Sequence, residues 1–263
     1  MILKEIEEKI ENGNIILGSH IFCGAPMLTE AMAIAGFDFL WIDMEHTAIG
    51  VNEVLLNLIA AKSGGACSVV RIQWNDSVIV KPILDMGPDG IIFPYIRTAD
   101  DVRKAIESCE YPPDGIRGYG PLRALDYGRT TKLDYVEMYH NKMWKVIQLE
   151  HIDAIENLEE ILSVKGIDAY IFGPNDLAAS VGLIGQTEHP KLLDIYDRAT
   201  QILQNAGKKF GVSMAYEPEI VNQWIKRGAK ILFCGSDVGY VYESATNVFE
   251  GLNNMKPSQI LDL

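Results

Sequence analysis

Residues 36–43 read GFDFLWID, a glycine that closes a helical pattern followed at once by a strand-length apolar run. The same junction recurs at Gly87-Pro88-Asp89, at Gly166-Ile167-Asp168 and, with lysine in place of aspartate, at Gly228-Ala229-Lys230. Glycine ends helices because it takes the left-handed cap conformation without a Cβ penalty. The runs at these junctions, FDFLWID (37–43), DGIIFPY (89–95), DAYIFGP (168–174) and KILFCG (230–235), are apolar almost throughout. Parallel strands buried on both faces require that pattern.

Between the runs lie segments of helical period. Val51, Val54, Leu55, Leu58 and Ile59 fall at i, i+3, i+4, i+7 and i+8, one apolar stripe suited to lie on a sheet. Further strand-like runs at 15–22, 67–72, 145–150 and 209–214 bring the strands to eight, alternating with helices throughout. Eight such units in 263 residues predict a single α/β domain, a (β/α)8 TIM barrel over residues 1–253, with a C-terminal tail at 254–263. A doubly wound open sheet is the alternative. It would announce a nucleotide site with GxGxxG in its first turn, and that motif is absent. Residues 111–131, YPPDGIRGYGPLRALDYGRTT, break the rhythm between the fourth and fifth strands. They are expected to follow a strand C-terminus, as a lid or a subunit contact on the active-site side.

The formal net charge of −13, with no cluster of lysines or arginines, excludes nucleic acid and anionic membranes as partners. The N-terminus lacks a signal-peptide core and no stretch is long enough to span a membrane, which predicts a cytoplasmic protein. Cys23, Cys67, Cys109 and Cys234 form no CxxC pair and read as reduced, mostly buried residues.

In a (β/α)8 barrel the chemistry sits at strand C-termini. The second strand ends in Asp43-Met44-Glu45-His46, the third at Arg71, the fifth at Gln148-Leu149-Glu150 and the sixth at Gly173-Pro174-Asn175-Asp176. The lysines choose among the reactions this set allows. Lys145, Lys208, Lys209 and Lys230 fall at strand starts, and Lys62, Lys81 and Lys104 in helical patterns, so no lysine is placed for a Schiff base. What remains is an enolate stabilised by a divalent cation, with Glu150 and Asp176 as ligands. Two carboxylates favour Mg2+ or Mn2+ over Zn2+, with Co2+ a further candidate, and leave room for a bidentate 2-oxo acid. Arg71 would offset charge at the keto oxygen, and His46 would move protons near neutral pH. Plainer readings stand beside these: Asp176 as the N-cap of the helix that follows, Arg71 as a structural ion pair with Asp43 or Glu45. His20, near the end of the first strand, would border the site, while Gly235-Ser236-Asp237 reads equally as a phosphate cup or a simple cap.

At these residues the chain resembles the HpcH/HpaI family of metal-dependent pyruvate aldolases, which includes 4-hydroxy-2-oxoheptanedioate and 2-dehydro-3-deoxyglucarate aldolases. The likeness is carried by AGFDFLWIDMEH (35–46), VVRIQWND (69–76), LDMGPDGIIFPYIRTADDVRKAI (84–106), YPPDGIRGYG (111–120), VIQLE (146–150) and GPNDLAASVG (173–182). The resemblance implies a class II aldolase acting on pyruvate and an aldehyde. It makes Glu150 and Asp176 the metal ligands and puts Arg71 at the keto oxygen. Asp85 would orient His46 at the aldehyde end. Gln148, Gly173, Asn175 and Asp176 would contact substrate, and Asp43 and Glu45 would hold water beside the ion. The sequence departs from the familiar aldolases at His20, where they tend to carry tryptophan, and through GYGPLRALDYGR, so the donor half of the reaction is the better supported. The family commonly forms hexamers built from trimers with exchanged C-terminal helices, and the pattern from Val238 to Leu252 is suited to that. Rival readings are a 2-oxo acid decarboxylase, a CoA-thioester lyase, and a non-catalytic 2-oxo acid sensor.

Overall fold

The computed structural model describes residues 3–139 and 143–255. Eight parallel strands, each paired with the next and the last with the first, close a barrel. They are β1 (Ile16–Ile21), β2 (Phe39–Asp43), β3 (Cys67–Arg71), β4 (Gly90–Phe93), β5 (Trp144–Leu149), β6 (Ala169–Phe172), β7 (Phe210–Met214) and β8 (Ile231–Ser236). The helices are α1 (Leu3–Glu11), α2 (Pro26–Ala35), α3 (Val51–Gly64), α4 (Ser77–Asp85), α5 (Ala99–Cys109), α6 (Lys132–Tyr139), α7 (Ile152–Glu156), α8 (Leu158–Ser163), α9 (Pro174–Ser180), α10 (Pro190–Asn205), α11 (Pro218–Lys226) and α12 (Asp237–Asn253).

The unbroken apolar runs are explained by two cores. Alternate residues, among them Phe39, Trp41, Val69, Ile92, Val146, Ile171 and Phe233, fill the barrel interior. Their neighbours Leu40, Ile42, Val70, Ile91, Phe93, Tyr170 and Phe172 pack outward against the helices. The lower end is plugged by α1, whose Leu3 and Ile6 join the interior core and whose Glu7 accepts a 2.7 Å hydrogen bond from the Trp144 indole. The four junction glycines all have positive φ: 108° at Gly36, 70° at Gly87, 103° at Gly166 and 90° at Gly228. A side chain there would be strained, which is why the junction was readable.

The 111–131 segment lies at the other rim from the one expected. The helix α5 intervenes after β4, so the chain has already returned to the strand N-termini when it reaches Tyr111. There Arg123 donates to the carbonyl of Met86, and Ala124 packs against Gly87. A cavity of about 890 Å3, lined in part by Leu58, Leu84, Asp89 and Arg123, opens at this rim, away from the strand C-termini. No disulfide forms among the described residues, and burial raises the thiols of Cys109, to about 12, and Cys234, to about 11. Among the described residues no helix is long and apolar enough to cross a membrane. The tail expected at 254–263 lies outside the described residues from 256 onward.

Candidate active site

Strand alternation decides which residues face the mouth of the barrel. Residues Phe39 and Trp41 point inward, and so therefore does Asp43; Cys67 and Val69 point inward, and so does Arg71. The same count brings His20, Gln148, Glu150, Gly173 and Ser213 to the mouth.

Asp43 and Arg71 are register partners on β2 and β3. The Arg71 Nε and Nη2 atoms donate to the two Asp43 oxygens at 2.8 and 2.5 Å, a bidentate pair buried on both sides. Nη1 is left toward the mouth, 3.0 Å from Glu45 Oε2 and 3.3 Å from Gln148 Oε1. Cζ lies 5.1 Å from the Trp41 ring centroid. Burial disfavours the guanidinium charge, but the hydrogen bonds and charge of Asp43 outweigh it and raise the Arg71 pKa. The structural ion pair with Asp43 and a second donor edge, which Nη1 directs at Gln148 and Glu45 at the mouth, therefore coexist in one side chain.

Glu150 is 2% exposed. Its Oε1 accepts the Tyr95 backbone N–H at 2.6 Å and its Oε2 accepts from Gln148 Nε2 at 2.7 Å. Burial pushes its pKa up to about 8; the Tyr95 amide opposes this, and the charges of Glu45 and Asp176 add to it. Tyr95 presents that amide from a left-handed conformation, φ 54°, unfavourable for a residue with a Cβ. Gly173 has to be glycine for a separate reason: a Cβ there would sit 2.8 Å from Glu150 Oε2 and 2.9 Å from Glu150 Cβ.

Asp176 is the third residue of α9, whose N-cap is Gly173 with no side-chain cap, so the capping reading does not hold. Asp176 and Asn175 are exposed at the mouth. Burial raises the Glu45 pKa as well, and Glu45 Oε2 makes no hydrogen bond despite its proximity to Arg71. Glu45, Glu150 and Asp176 thus bring three carboxyl groups close enough to raise one another's cost of ionisation, with most of the Arg71 charge spent on Asp43. A divalent cation fits that donor set. Among the described residues no group of three His, Cys, Asp or Glu side chains is arranged to hold an ion by itself, so an ion held by two of these carboxylates would have to take its remaining oxygen ligands from water and substrate.

His46 Nε2 lies 3.8 Å from Glu45 Oε2 and its side chain is largely exposed. Asp85 does not reach it within one chain. Helices run back down the barrel, so the last residue of α4 sits near the start of β4, where Asp85 accepts a 2.9 Å hydrogen bond from buried Arg117. Residues 235–237 form a cap: Ser236 Oγ accepts from Gly239 N, and Asp237 accepts from the amides of Phe22 and Cys23. Two contributors lay beyond the sequence reading. The Tyr95 amide gave no side-chain signal, and Ser213 was detectable only as the inward position after Gly211 in β7.

The sequence profile of the HpcH/HpaI aldolase/citrate lyase family matches residues 20–244. A 4-hydroxy-2-oxo-heptane-1,7-dioate aldolase of Shigella sonnei is 36% identical over 90% of each chain, and one of Salmonella paratyphi C is 38% identical over 79% of each. The crystal structure of an HpcH/HpaI aldolase from Desulfitobacterium hafniense superposes with a TM-score of 0.89 over 98% of both chains at 29% identity. A family protein from Burkholderia cenocepacia reaches 0.88 over 95% of this chain and 99% of its own, at 26% identity. Matched from the first strand into the last helix, with this mouth of carboxylates around a fixed guanidinium, the chain belongs to the HpcH/HpaI aldolase/citrate lyase family of carbon–carbon lyases.

Proposed function

We propose that the protein is a divalent-metal-dependent aldolase that joins the enolate of pyruvate, or of a related 2-oxo acid, to an aldehyde and cleaves 4-hydroxy-2-oxo acids in reverse. The observation that carries this reading is Glu150, a buried carboxylate raised to about 8 beside two further carboxylates and one fixed guanidinium edge. Glu150 and Asp176 would hold the ion, Mg2+ or Mn2+ with Co2+ an alternative. When bound, it supplies positive charge that lowers the cost of forming the enolate. Gln148 fixes one oxygen of Glu150 and the Tyr95 amide the other. Arg71 Nη1 faces the developing enolate oxygen, while Asp43 prevents the guanidinium from turning away. The open first turn of α9, around Gly173 and Asn175, receives the substrate carboxylate. Glu45 would order water beside the ion, Asp43 acts through its hold on Arg71, and His46 would carry the proton of the aldehyde-derived oxygen.

Exhaustive chelation is expected to abolish turnover, and Mg2+ or Mn2+ to restore it; full activity after chelation, or an imine trapped by borohydride, would refute the reading. Gly173→Ala tests the positioning of Glu150. The added methyl has to displace that carboxylate, so Mn2+ affinity, measured by calorimetry, should fall by about tenfold or more.

Assembly as a trimer or hexamer is part of this proposal. Val238, Val241, Tyr242, Val248, Phe249 and Leu252 of α12 are exposed in the single chain, an apolar face suited to a second copy. Phe249→Glu should yield a smaller species in sedimentation velocity, and an unchanged mass would argue against this role for α12.

A further inference from the structure

The wall of the mouth formed by β7, β8 and β1 contains a hydrogen-bonded chain that the reaction described above does not use. His20 Nδ1 lies 2.7 Å from the Gly235 carbonyl oxygen, and His20 Nε2 lies 2.8 Å from Ser213 Oγ. A carbonyl only accepts, so Nδ1 carries the hydrogen. Burial holds the imidazole pKa down to about 4, which leaves the ring neutral and Nε2 a bare acceptor at working pH. The one hydroxyl hydrogen of Ser213 is therefore committed to His20. Phe22, Trp41 and Phe233 surround the imidazole at centroid distances of 5.3, 5.1 and 6.0 Å and fix its orientation. Ser213 is half-buried at the inward position near the end of β7, and its oxygen has no other partner among the described residues. It presents lone pairs to the mouth and no hydrogen.

The surrounding charge narrows the ligand further. Among the described residues, the segments that follow each strand carry Arg97 as their one lysine or arginine, and Arg97 is paired with Asp153. Glu45, Glu217 and Asp237 lie on or next to these segments. A second substrate carboxylate would meet acceptors and negative charge on this wall.

We propose that Ser213, held by His20, is a specificity-determining residue for the acceptor: it receives a hydrogen bond from a hydroxyl of the aldehyde. The enzyme would then take neutral hydroxyaldehydes in preference to aldehydes bearing a carboxylate. The inference rests on the pyruvate-aldolase reading and names its second substrate by class. Its test is kcat/KM for the Mn2+-loaded full-length protein with pyruvate and, in turn, glycolaldehyde, propanal and succinic semialdehyde. Glycolaldehyde should exceed propanal by about tenfold, equivalent to about 1.4 kcal/mol for one hydrogen bond, and succinic semialdehyde should be the poorest. In Ser213→Ala the glycolaldehyde-to-propanal ratio should fall to that set by the intrinsic reactivity of the two aldehydes, mainly through a higher KM for glycolaldehyde. A preference for succinic semialdehyde, or an unchanged ratio in Ser213→Ala, would overturn the proposal. If that variant does not fold, the order of glycolaldehyde and succinic semialdehyde in the wild-type protein decides, a preference for succinic semialdehyde overturning the proposal. Exchange of the pyruvate methyl hydrogens with D2O separates the two levels: no exchange in the wild-type protein overturns the aldolase reading and this inference with it, whereas exchange with the wrong order of acceptors overturns the inference alone.

Discussion

Arg71→Ala will slow every reaction that passes through the pyruvate enolate by on the order of a hundredfold or more, as when one donor to a developing oxyanion is removed. The size of the effect follows from preorganisation. Two guanidinium nitrogens are locked on Asp43, so Nη1 points to the mouth before substrate arrives and no reorganisation is needed during reaction. The alanine variant also strands Asp43 as a buried unpaired carboxylate, a loss of about 3–5 kcal/mol, so rates should be compared only for protein shown to be folded by circular dichroism. Arg71→Lys, which keeps the charge without the fork, should lie between alanine and wild type. Two rates are needed for each variant, retro-aldol cleavage and oxaloacetate decarboxylation, both at saturating metal. Removal of Arg71 should depress both. His46→Ala should cripple cleavage and affect decarboxylation less, because decarboxylation has no aldehyde-derived oxygen to protonate. If Arg71→Ala spares decarboxylation, or His46→Ala lowers both rates equally, this division of labour is wrong.

Glu150→Gln should remove metal-dependent activity altogether while making the metal-free protein more stable in alkali. Burial raises the Glu150 pKa from an ordinary carboxylate value to about 8. The unfolded chain ionises this group near pH 4.5, whereas the folded metal-free chain holds the proton until about 8. Folding stability is therefore fully present below pH 4.5 and declines as pH rises through 8, and glutamine, with nothing to ionise, escapes the decline. Metal has to displace the same proton, so the apparent Mn2+ affinity of the wild-type protein should weaken below pH 8, approaching about tenfold per unit. Differential scanning calorimetry from pH 5 to 9 on the chelated proteins checks the first effect, and Mn2+ titration over that range checks the second. A Gln variant no more stable than wild type at pH 9, or a Mn2+ affinity independent of pH, would mean that Glu150 is already ionised without the ion.

Barrel closure was legible because most strands had to be apolar on both faces and four of the returns pass through a left-handed glycine, and both constraints act on residues adjacent in sequence. Asp43, Arg71, Gln148, Glu150 and Gly173 were legible for a related reason. Once the strands are known to be parallel, their C-terminal ends must share one rim, and period-two alternation chooses which residues face inward. The position of the 111–131 segment was misplaced because it depended on counting α5 between it and β4. The Asp85 to Arg117 contact, the fixed direction of Arg71, the left-handed Tyr95 amide and the Ser213 to His20 pair were not determined at that level. Ser213 and His20 are separated by 193 residues along the chain. The sequence by itself determined the barrel, its catalytic rim and the residue types on that rim, since these follow from local periodicity and helix caps. Only the tertiary structure decided which polar atoms remain unspent after the buried groups have paired with one another, because hydrogen-bond pairing in a desolvated mouth depends on distances between strands that no local pattern encodes.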